Sequence, residues 1–265
     1  MVKSIKNAVA DKAILLILAA GFGTRLEPRT LTIPKQLLPI AGGVVMDLFY
    51  RSIESVLPRF SKKVLITNAV YYPHFKKWVS DRDVEIEVIS NKVKNKADKI
   101  GAIGDLLKAI KEADIKGNIF VAAPDYILKN IDFNDVLDLA TRKNSSVTLY
   151  RIEKDKDVIS AGSCVELSSE GKVKRFEEKP PVPFSSNYGI PYYFVKSEDI
   201  SKLKNIPSHL RDNSGQIVAE LVRSSSVFGY KYDGEIIHIT SERDYQRIIK
   251  EEKVELSSLG VKKVL

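Results

Sequence analysis

The sequence contains a single cysteine, Cys164, among its 265 residues. One thiol excludes an internal disulfide, and such scarcity is typical of proteins that fold in a reducing compartment, so a cytoplasmic location is predicted. The flanking residues AGSCVEL have a strand pattern. We therefore expect the Cys164 side chain to be a small buried group rather than a nucleophile.

Long hydrophobic runs are also missing. The best candidate, AILLILAA, is far shorter than the roughly 20 apolar residues that a membrane-spanning helix needs. The polar start, MVKSIKNAVADK, lacks a small-residue cleavage site, so no signal peptide is expected. These absences predict a protein that has no membrane partner.

Negatively charged residues are in the minority. The sequence has 42 Lys and Arg against 34 Asp and Glu, which gives a net charge of +8. Such an excess favours anionic partners, namely phosphorylated metabolites, nucleotides or nucleic acid. The lysines are scattered rather than gathered in one arm or helix, so no nucleic-acid-binding surface is predicted.

The first half of the sequence alternates between strand and helix patterns. Residues 13–19 (AILLILA) are apolar throughout, as expected for a strand that is buried on both faces of a parallel sheet. Further segments follow in the order helix 44–57, strand 62–68, helix 74–81, strand 84–90, helix 102–114, strand 118–123 and helix 133–143. This alternation predicts an α/β fold with a Rossmann-like, mainly parallel sheet flanked by helices.

The second half is richer in strands, so the sheet as a whole is predicted to be mixed. SCVELSSEGKVKRFEEKP is typical of a hairpin with Glu170 and Gly171 at its turn, and two short strand patterns flank Asp233 and Gly234. No repeat or linker separates the halves, so one domain is predicted. Its parts are an α/β half (13–145), a smaller β-rich half (146–250) and a C-terminal tail (251–265).

A loop of small residues follows the first strand pattern, in LAAGFGTRLEPRTLTIPKQLLPI (18–40). Gly21 and Gly23 let the backbone approach a ligand closely, at the edge of a parallel sheet where ligands bind. The dinucleotide-binding pattern G-x-G-x-x-G fails because its third position is Leu26, and no G-K-[ST] of a Walker phosphate loop follows. A nicotinamide-dependent dehydrogenase is therefore disfavoured.

Two cations accompany this loop. Arg25 directly follows the tight turn, where its guanidinium can reach two phosphate oxygens at once. Pro34 stiffens the segment that carries Lys35, which lowers the entropy cost of holding the ammonium against an anion. Ordinary loop residues on a basic protein are the alternative, but this order of residues after a buried strand favours a phosphate site.

The stretch 18–40 resembles the signature of the sugar-1-phosphate nucleotidylyltransferases (nucleotide-sugar pyrophosphorylases), L-A-[AG]-G-x-G-[ST]-R-L-x-P-x-T-x-x-x-[PS]-K-x-L-x-P-[IV]. Its PKQLLPI is most similar to the glucose-1-phosphate thymidylyltransferase branch. Later segments resemble family motifs in the same order, namely GAIGDLLKAI, IFVAAPDYIL, FEEKP, SNYGIPYYFV and GEIIHITSERDYQRI. The resemblance covers roughly residues 13–250 and implies the nucleotide-diphospho-sugar transferase fold, with a nucleotide-binding half before a sugar-phosphate-binding half.

The resemblance implies a transferase that joins a sugar 1-phosphate to an NTP and releases pyrophosphate. Its opening motif points to glucose 1-phosphate with dTTP or UTP. Small-molecule substrates are the implied partners, a homo-oligomer is compatible with the family, and Mg²⁺, or Mn²⁺ or another divalent metal, is the implied cofactor. The left-handed β-helix domain of longer relatives is expected to be absent.

The resemblance also implies roles for individual residues. Arg25 would grip the triphosphate, Lys35 would bridge the α-phosphate and the sugar phosphate, and Gly101 would lie against the base. The loop that cradles base, ribose and phosphates would comprise Ala20, Gly21, Gly23 and Thr24. On the sugar side, the matching residues are Gly162, Glu178 and Lys179.

The implied metal site departs from the family pattern. Asp125 matches a metal-binding aspartate, although a helix-capping role is the alternative. Pro124 replaces the preceding glycine, and His238 stands at the place of the second metal aspartate. Histidine is a poor ligand for Mg²⁺ but a good one for Mn²⁺, Co²⁺ or Zn²⁺. A register shift that brings in Asp233 or Glu235, or a plain strand histidine, stays open.

The departures leave two questions open. The G-L-A-Q amide that thymidylyltransferases carry near the base has no equivalent in GAIGD, so uridylyl, cytidylyl, guanylyl or adenylyl transfer is compatible with the sequence. The changes at Pro124 and His238 also suit an alternative protein: a catalytically silent regulatory homologue that binds a nucleotide or a sugar phosphate.

Overall fold

A mixed sheet organises the residues that the structure, a computed structural model, describes: 12–40 and 42–258, with 252–258 described by their backbone alone. Within these residues, nine strands form one sheet and four more form two two-stranded sheets. The strands are β1 (Ala13–Leu18), β2 (Pro39–Ile40), β3 (Gly43–Val44), β4 (Phe60–Thr67), β5 (Glu87–Ser90), β6 (Ile119–Ala122), β7 (Tyr126–Leu128), β8 (Ser146–Ile152), β9 (Ser163–Leu167), β10 (Val173–Glu178), β11 (Asn187–Val195), β12 (Val227–Lys231) and β13 (Ile236–His238). The α-helices are α1 (Val45–Ser52), α2 (Tyr72–Asp81), α3 (Gly101–Glu112), α4 (Phe133–Lys143), α5 (Lys156–Ala161), α6 (Gln216–Ser224) and α7 (Glu242–Ser258).

Strand β1 lies inside the parallel part of the sheet, which runs in the order β5-β4-β1-β6. It pairs in parallel with β4 on one side and β6 on the other. Leu15 and Ile17 belong to the core that α1, α2 and α4 cover, whereas Ile14 and Leu16 belong to the core under α3 and α6. Because both faces are covered, each position needs an apolar side chain, and the strand predicted at 13–19 is confirmed.

The second half of the chain extends the same sheet with antiparallel strands. β11 pairs with β6, β8 and β9, and β9 with β10 forms the predicted hairpin. Gly171 in its turn has a φ of 80°, a left-handed conformation that glycine adopts without strain. The predicted fold class, a mixed and mainly parallel α/β sheet flanked by helices, is confirmed. The proposed boundary near residue 145 runs through this one sheet, and the division into halves stays a prediction.

Two local patterns are modified by the tertiary structure. The helix predicted over 44–57 ends at Ser52 and is followed by a 3-10 helix over Glu54–Arg59, in which Pro58 has no N–H to donate. The two strands around Asp233 and Gly234 are present, but β12 pairs in parallel with β8 and β13 pairs with β7. They therefore do not form a hairpin with each other.

The remaining fold predictions concern the thiol and the chain ends. Cys164 is fully buried in the core, as predicted. None of the described helices is both long and apolar enough to cross a membrane. In the predicted tail, α7 continues to Ser258. The start MVKSIKNAVAD (1–11) and the last residues, 259–265, lie outside the described residues.

Candidate active site

A cleft of about 610 Å³ opens at the carboxyl edge of the parallel strands. Its walls come from segments that follow β1, β5, β10 and β13, from the segment before α6 and from the first turns of α3. Ligands bind at this edge in open α/β sheets. The cleft brings together eight residues that the sequence analysis singled out: Ala20, Gly21, Gly23, Thr24, Arg25, Lys35, Gly101 and Lys179.

The loop after β1 has a row of unpaired backbone donors. Among the described residues, no acceptor receives a hydrogen bond from the backbone N–H of residues 20–25. Its carbonyl groups are paired instead: Asn68 Nδ2 donates to the Ala20 carbonyl over 3.1 Å, and Thr30 Oγ1 donates to the Gly23 carbonyl over 2.9 Å. Gly23 takes the left-handed φ of 63° that this tight turn requires. Successive free N–H groups in such a turn form a concave site for an anion.

Tyr71 supports the loop from the protein interior. Its side chain is fully buried, and its hydroxyl lies 2.9 Å from the Phe22 carbonyl oxygen and 2.5 Å from that of Thr30. One hydroxyl proton can serve only one of these oxygens at a time. Burial raises the pKa of Tyr71 to about 12, so the donor keeps its proton at neutral pH. Helix α2, at whose start Tyr71 lies, thereby positions the cleft wall.

Lys35 links the cleft to Asp125 through an ion pair. The two side chains are only 17% and 18% exposed. Burial by itself raises the pKa of Asp125, but opposing effects, of which the charge of the Lys35 ammonium is the largest, outweigh burial and hold the pKa below its ordinary value. Asp125 is therefore a carboxylate at neutral pH, and the pair consists of two opposite charges.

His238 lies beside Asp125 because β13 pairs with β7. This pairing sets His238 opposite Tyr126, and the two rings stack with their centroids 3.6 Å apart. The distance from His238 Nε2 to Asp125 Oδ2 is 3.8 Å. Burial lowers the pKa of His238 to about 4, so its imidazole is neutral at neutral pH, which is the state that binds metals.

The side chains of Asp125 and His238 suit a metal ion that takes most of its ligands from a substrate. Within the described part of the chain, no group of three or more His, Cys, Asp and Glu side chains could hold a metal ion. Asp125 and His238 could supply one oxygen and one nitrogen, and phosphate oxygens and water would complete the coordination. Mg²⁺ is commonly held in this way, although the nitrogen suits Mn²⁺ better. The metal role of both residues stays a prediction.

The predicted sugar-side residues lie together where β9 begins and β10 ends. Ser163 donates a hydrogen bond of 2.7 Å to Glu178, whose pKa is raised by burial. The Lys179 N–H donates to the Gly162 carbonyl over 2.6 Å. Gly162 is tight against Tyr188, since a Cβ there would lie 2.4 Å from the ring. Of these residues, Lys179 lines the cleft, whereas Gly162 and Glu178 lie outside its lining, as do Asp125 and His238.

Tyrosines connect the sugar-side group to Asp125. The hydroxyl of Tyr188 lies 3.0 Å from that of Tyr126, the residue after Asp125. Lys179 in turn contacts another residue of the cleft wall, because its Nζ donates to Asn213 Oδ1 over 2.9 Å. The phosphate-side and sugar-side groups of predicted residues are therefore joined by a continuous set of contacts, and Lys179 is the member of the sugar-side group that lines the cleft.

The sequence analysis missed a polar pair in the cleft wall, Asn91 and Asp105. Asn91 Nδ2 donates to Asp105 Oδ1 over 2.7 Å, and both residues line the cleft. Burial raises the pKa of Asp105 to about 6. A signal was present in the sequence, since Asp105 interrupts the buried face of α3 beside Leu106. A carboxylate on the buried side of a helix is uncommon unless it has a partner.

The raised pKa of Asp105 has a measurable effect on stability. Its folded-state pKa of about 6 lies above the reference value of 3.8, so ionisation costs folding free energy as the pH rises from about 4 to about 6. At pH 8, Asp105→Asn is expected to raise the free energy of unfolding by up to about 3 kcal/mol. Near pH 4 the gain should fall to about 0.5 kcal/mol, because the carboxyl is then protonated in the folded state and about half protonated in the unfolded state. Urea denaturation at both pH values measures the difference.

Asp98→Asn is the matched control, because Asp98 is an exposed carboxylate three residues before α3. It should change the free energy of unfolding little at either pH. A gain in Asp105→Asn that is equal at pH 4 and pH 8 would contradict the assigned cause, because it would not come from ionisation.

The chain is similar in sequence to one family model and to several known proteins. The family model described as nucleotidyl transferase matches residues 14–234. The chain is 27% identical over 234 residues to a Sulfolobus acidocaldarius protein named provisionally as a mannose-1-phosphate guanyltransferase, covering 88% of this chain and 61% of that one. It is 25% identical over 255 residues to a glucose-1-phosphate adenylyltransferase of Thermotoga neapolitana, covering 88% and 58%. The chain thus spans about three fifths of the length of these relatives.

Solved structures share the fold. A provisionally named glucose-1-phosphate thymidylyltransferase of Bacillus anthracis, in complex with sucrose, superimposes with a TM-score of 0.74 at 20% identity, covering 90% of this chain and 95% of that one. A UDP-glucose pyrophosphorylase in complex with UDP-glucose gives 0.74 at 17% identity, covering 92% and 99%.

Proposed function

Because the chain belongs to the nucleotidyl transferase family, we propose that it transfers a nucleotidyl group from a nucleoside triphosphate to a sugar 1-phosphate and releases pyrophosphate. The observation that carries the proposal is the cleft at the end of β1. There, the unpaired N–H groups of residues 20–25 share one space with Arg25 and Lys35. Backbone donors and two cations in a single cleft are suited to a triphosphate.

In the proposed reaction, an oxygen of the sugar phosphate attacks the α-phosphorus of the triphosphate. The new P–O bond forms as the bond between the α-phosphorus and the bridging oxygen of the β-phosphate breaks, and pyrophosphate leaves with its electron pair. The attacking phosphate is already ionised, so no base has to remove a proton. Catalysis can then come from positioning the two anions and neutralising their charge.

The cations have distinct proposed roles. Arg25 binds the β- and γ-phosphates and stabilises the charge that collects on pyrophosphate. Lys35 lies between the incoming phosphate and the α-phosphate, where its ammonium reduces the repulsion of two anions. Lys179, at the sugar side of the cleft, binds the sugar phosphate. We propose that Asp125, with His238, holds the divalent cation, which would supply further positive charge to the phosphate oxygens.

The test is a substrate panel. The purified protein is incubated with Mg²⁺ or Mn²⁺, each of GTP, ATP, CTP, UTP and dTTP, and glucose 1-phosphate or mannose 1-phosphate. Pyrophosphate release and the mass of the NDP-sugar are the readouts, and formation of any NDP-sugar is the expected result. If calorimetry detects binding but no combination gives product, the protein is a silent binding homologue and the proposed reaction is wrong.

The sugar and the base are the finer part of the proposal. The opening motif favours glucose 1-phosphate with dTTP or UTP. The names of the relatives include mannose 1-phosphate with guanylyl transfer and glucose 1-phosphate with adenylyl or uridylyl transfer. We retain glucose 1-phosphate as the proposed sugar substrate, whereas Asp105, which lies outside the opening motif, argues for a different base.

A further inference from the structure

A buried carboxylate lies in the cleft wall next to β5. Asp105 is only 8% exposed, and its Oδ1 accepts the hydrogen bond from Asn91 Nδ2. Asn91 is held in turn, since its Oδ1 accepts from the Val93 N–H over 2.8 Å. Among the described residues, no group donates to Asp105 Oδ2. That oxygen is not sealed in, because Gln36 Oε1 is the one described side-chain atom that is both enclosed and unpaired. Asp105 Oδ2 therefore keeps some accessible surface, and Asp105 is one of the residues that line the cleft.

No described cation forms an ion pair with this carboxylate. The lysines in the same wall are paired elsewhere, Lys96 with Glu27 and Lys99 with Asp212. Burial raises the pKa of Asp105 to about 6, which is still below neutral pH, because the Asn91 hydrogen bond and the charge of Lys108, itself paired with Glu112, offset burial only in part. A buried carboxylate that has one hydrogen-bond donor, has no ion-pair partner and lines a cleft is a candidate for contact with a ligand.

The sheet separates this carboxylate from the cations proposed to bind phosphate. Asn91 directly follows β5, Arg25 lies in the loop after β1, and Lys35 pairs with Asp125 beyond β6. In the strand order β5-β4-β1-β6, the distance from β5 to β6 is three strand spacings, or about 14 Å. A nucleoside triphosphate extends over a comparable length. Because Asp105 repels phosphate, the uncharged base is the part of the nucleotide that fits beside β5.

We propose that Asp105, positioned by Asn91, selects the base of the nucleoside triphosphate and favours guanine. The inference rests on the proposed function for the placement of the phosphates. Asp105 Oδ2 accepts hydrogen bonds from the base, while Asn91 keeps the carboxylate oriented toward the cleft.

The hydrogen-bonding edges of the bases explain the preference. A carboxylate can only accept hydrogen bonds. Guanine presents two adjacent donors, N1–H and the N2 amino group, and no other base matches a carboxylate so fully. Adenine and cytosine present one amino group beside a ring nitrogen that only accepts. Uracil and thymine present one N–H between two carbonyl oxygens, which the carboxylate would repel.

The experiment compares the five triphosphates with the unsubstituted protein and with Asp105→Asn. Calorimetry measures binding of each NTP without sugar phosphate, and kcat/KM is measured with it. We expect GTP to exceed UTP and dTTP by about tenfold or more in both measurements. Asp105→Asn replaces one acceptor oxygen with a donor, so it should lower the GTP values by about 10- to 100-fold and reduce the discrimination against UTP. Asp98→Asn, the matched carboxylate outside the cleft, should keep the original order.

The outcomes separate this inference from the proposed function. If UTP or dTTP gives product more efficiently than GTP, or if Asp105→Asn leaves the order of bases unchanged, the inference is wrong while the transferase activity stands. If no NTP gives product but GTP binds selectively and loses this selectivity in Asp105→Asn, base selection by Asp105 is supported and the proposed reaction is wrong.

Discussion

Replacing Lys35 with alanine is expected to lower kcat by about 100-fold or more. The ammonium lies in the cleft and is oriented by Asp125, so it is placed before the substrates arrive. In the proposed reaction, the repulsion between two phosphates grows as they approach, and Lys35 opposes it most strongly in the transition state. The effect should therefore fall on kcat and on kcat/KM alike. Steady-state kinetics with the active pair of substrates measures both.

The control for this variant is Lys129→Ala. Lys129 also forms an ion pair, with Glu235, but it lies outside the cleft lining. The kcat of Lys129→Ala should stay within about twofold of the unsubstituted value, because this side chain does not line the cleft. Loss of its ion pair should also change stability little. If Lys35→Ala raised KM and left kcat unchanged, Lys35 would bind substrate and transition state equally, and its proposed role would be wrong.

Lys35→Ala also leaves Asp125 without its cation, so its stability has to be measured separately. The mostly buried carboxylate would then lack its strongest neutralising charge. Circular dichroism should show an intact fold at the assay temperature. Lys35→Arg keeps the charge and should restore stability more fully than activity, because a guanidinium has a different shape and reach from an ammonium.

Replacing Gly101 with alanine is expected to lower the free energy of unfolding by about 4 kcal/mol. Gly101 begins α3 with a φ of 74°, and a Cβ there would lie 2.4 Å from the Arg211 carbonyl oxygen. That same carbonyl accepts a hydrogen bond of 2.9 Å from the Ile103 N–H. Alanine would therefore add backbone strain, a steric clash and the loss of a hydrogen bond at a contact between distant parts of the chain. Urea denaturation measures the loss.

Gly171→Ala provides the matched control for the backbone strain. Gly171 has a similar φ of 80°, but a Cβ there would meet no atom within 4 Å. Its loss should be about 1 kcal/mol, which is the cost of the left-handed conformation alone. If the free energy of unfolding fell equally in the two variants, the segment around Arg211 would move aside at little cost. Gly101 would then be needed for its backbone conformation only.

The Gly101 contact also bears on the cleft. Asp212 and Asn213, next to Arg211, reach Lys99 and Lys179 in the cleft wall. A Cβ at residue 101 would push this segment away from α3. Nucleotide affinity in Gly101→Ala should therefore fall together with stability, whereas Gly171→Ala should leave it unchanged.

The loop that forms the centre of the cleft could be predicted from local sequence. Its glycines, Arg25 and Lys35 lie within a short stretch that follows an apolar strand. A strand buried on both faces has to be apolar at each position, and a tight turn needs a residue that tolerates positive φ. Such requirements act on neighbouring residues, so they leave a readable pattern.

The partners of these residues depend on contacts between segments that are far apart in the chain. His238 lies beside Asp125 because β13 pairs with β7, and its local sequence does not reveal that pairing. Asn91 and Asp105 meet because α3 packs on β4 and β1, beside the residue that follows β5. The sequence alone thus determined the fold class, the family resemblance and the phosphate loop. Only the tertiary structure decided which charges are paired and that Asp105 is buried in the cleft wall beside Asn91, because burial and strand register arise from packing between distant segments.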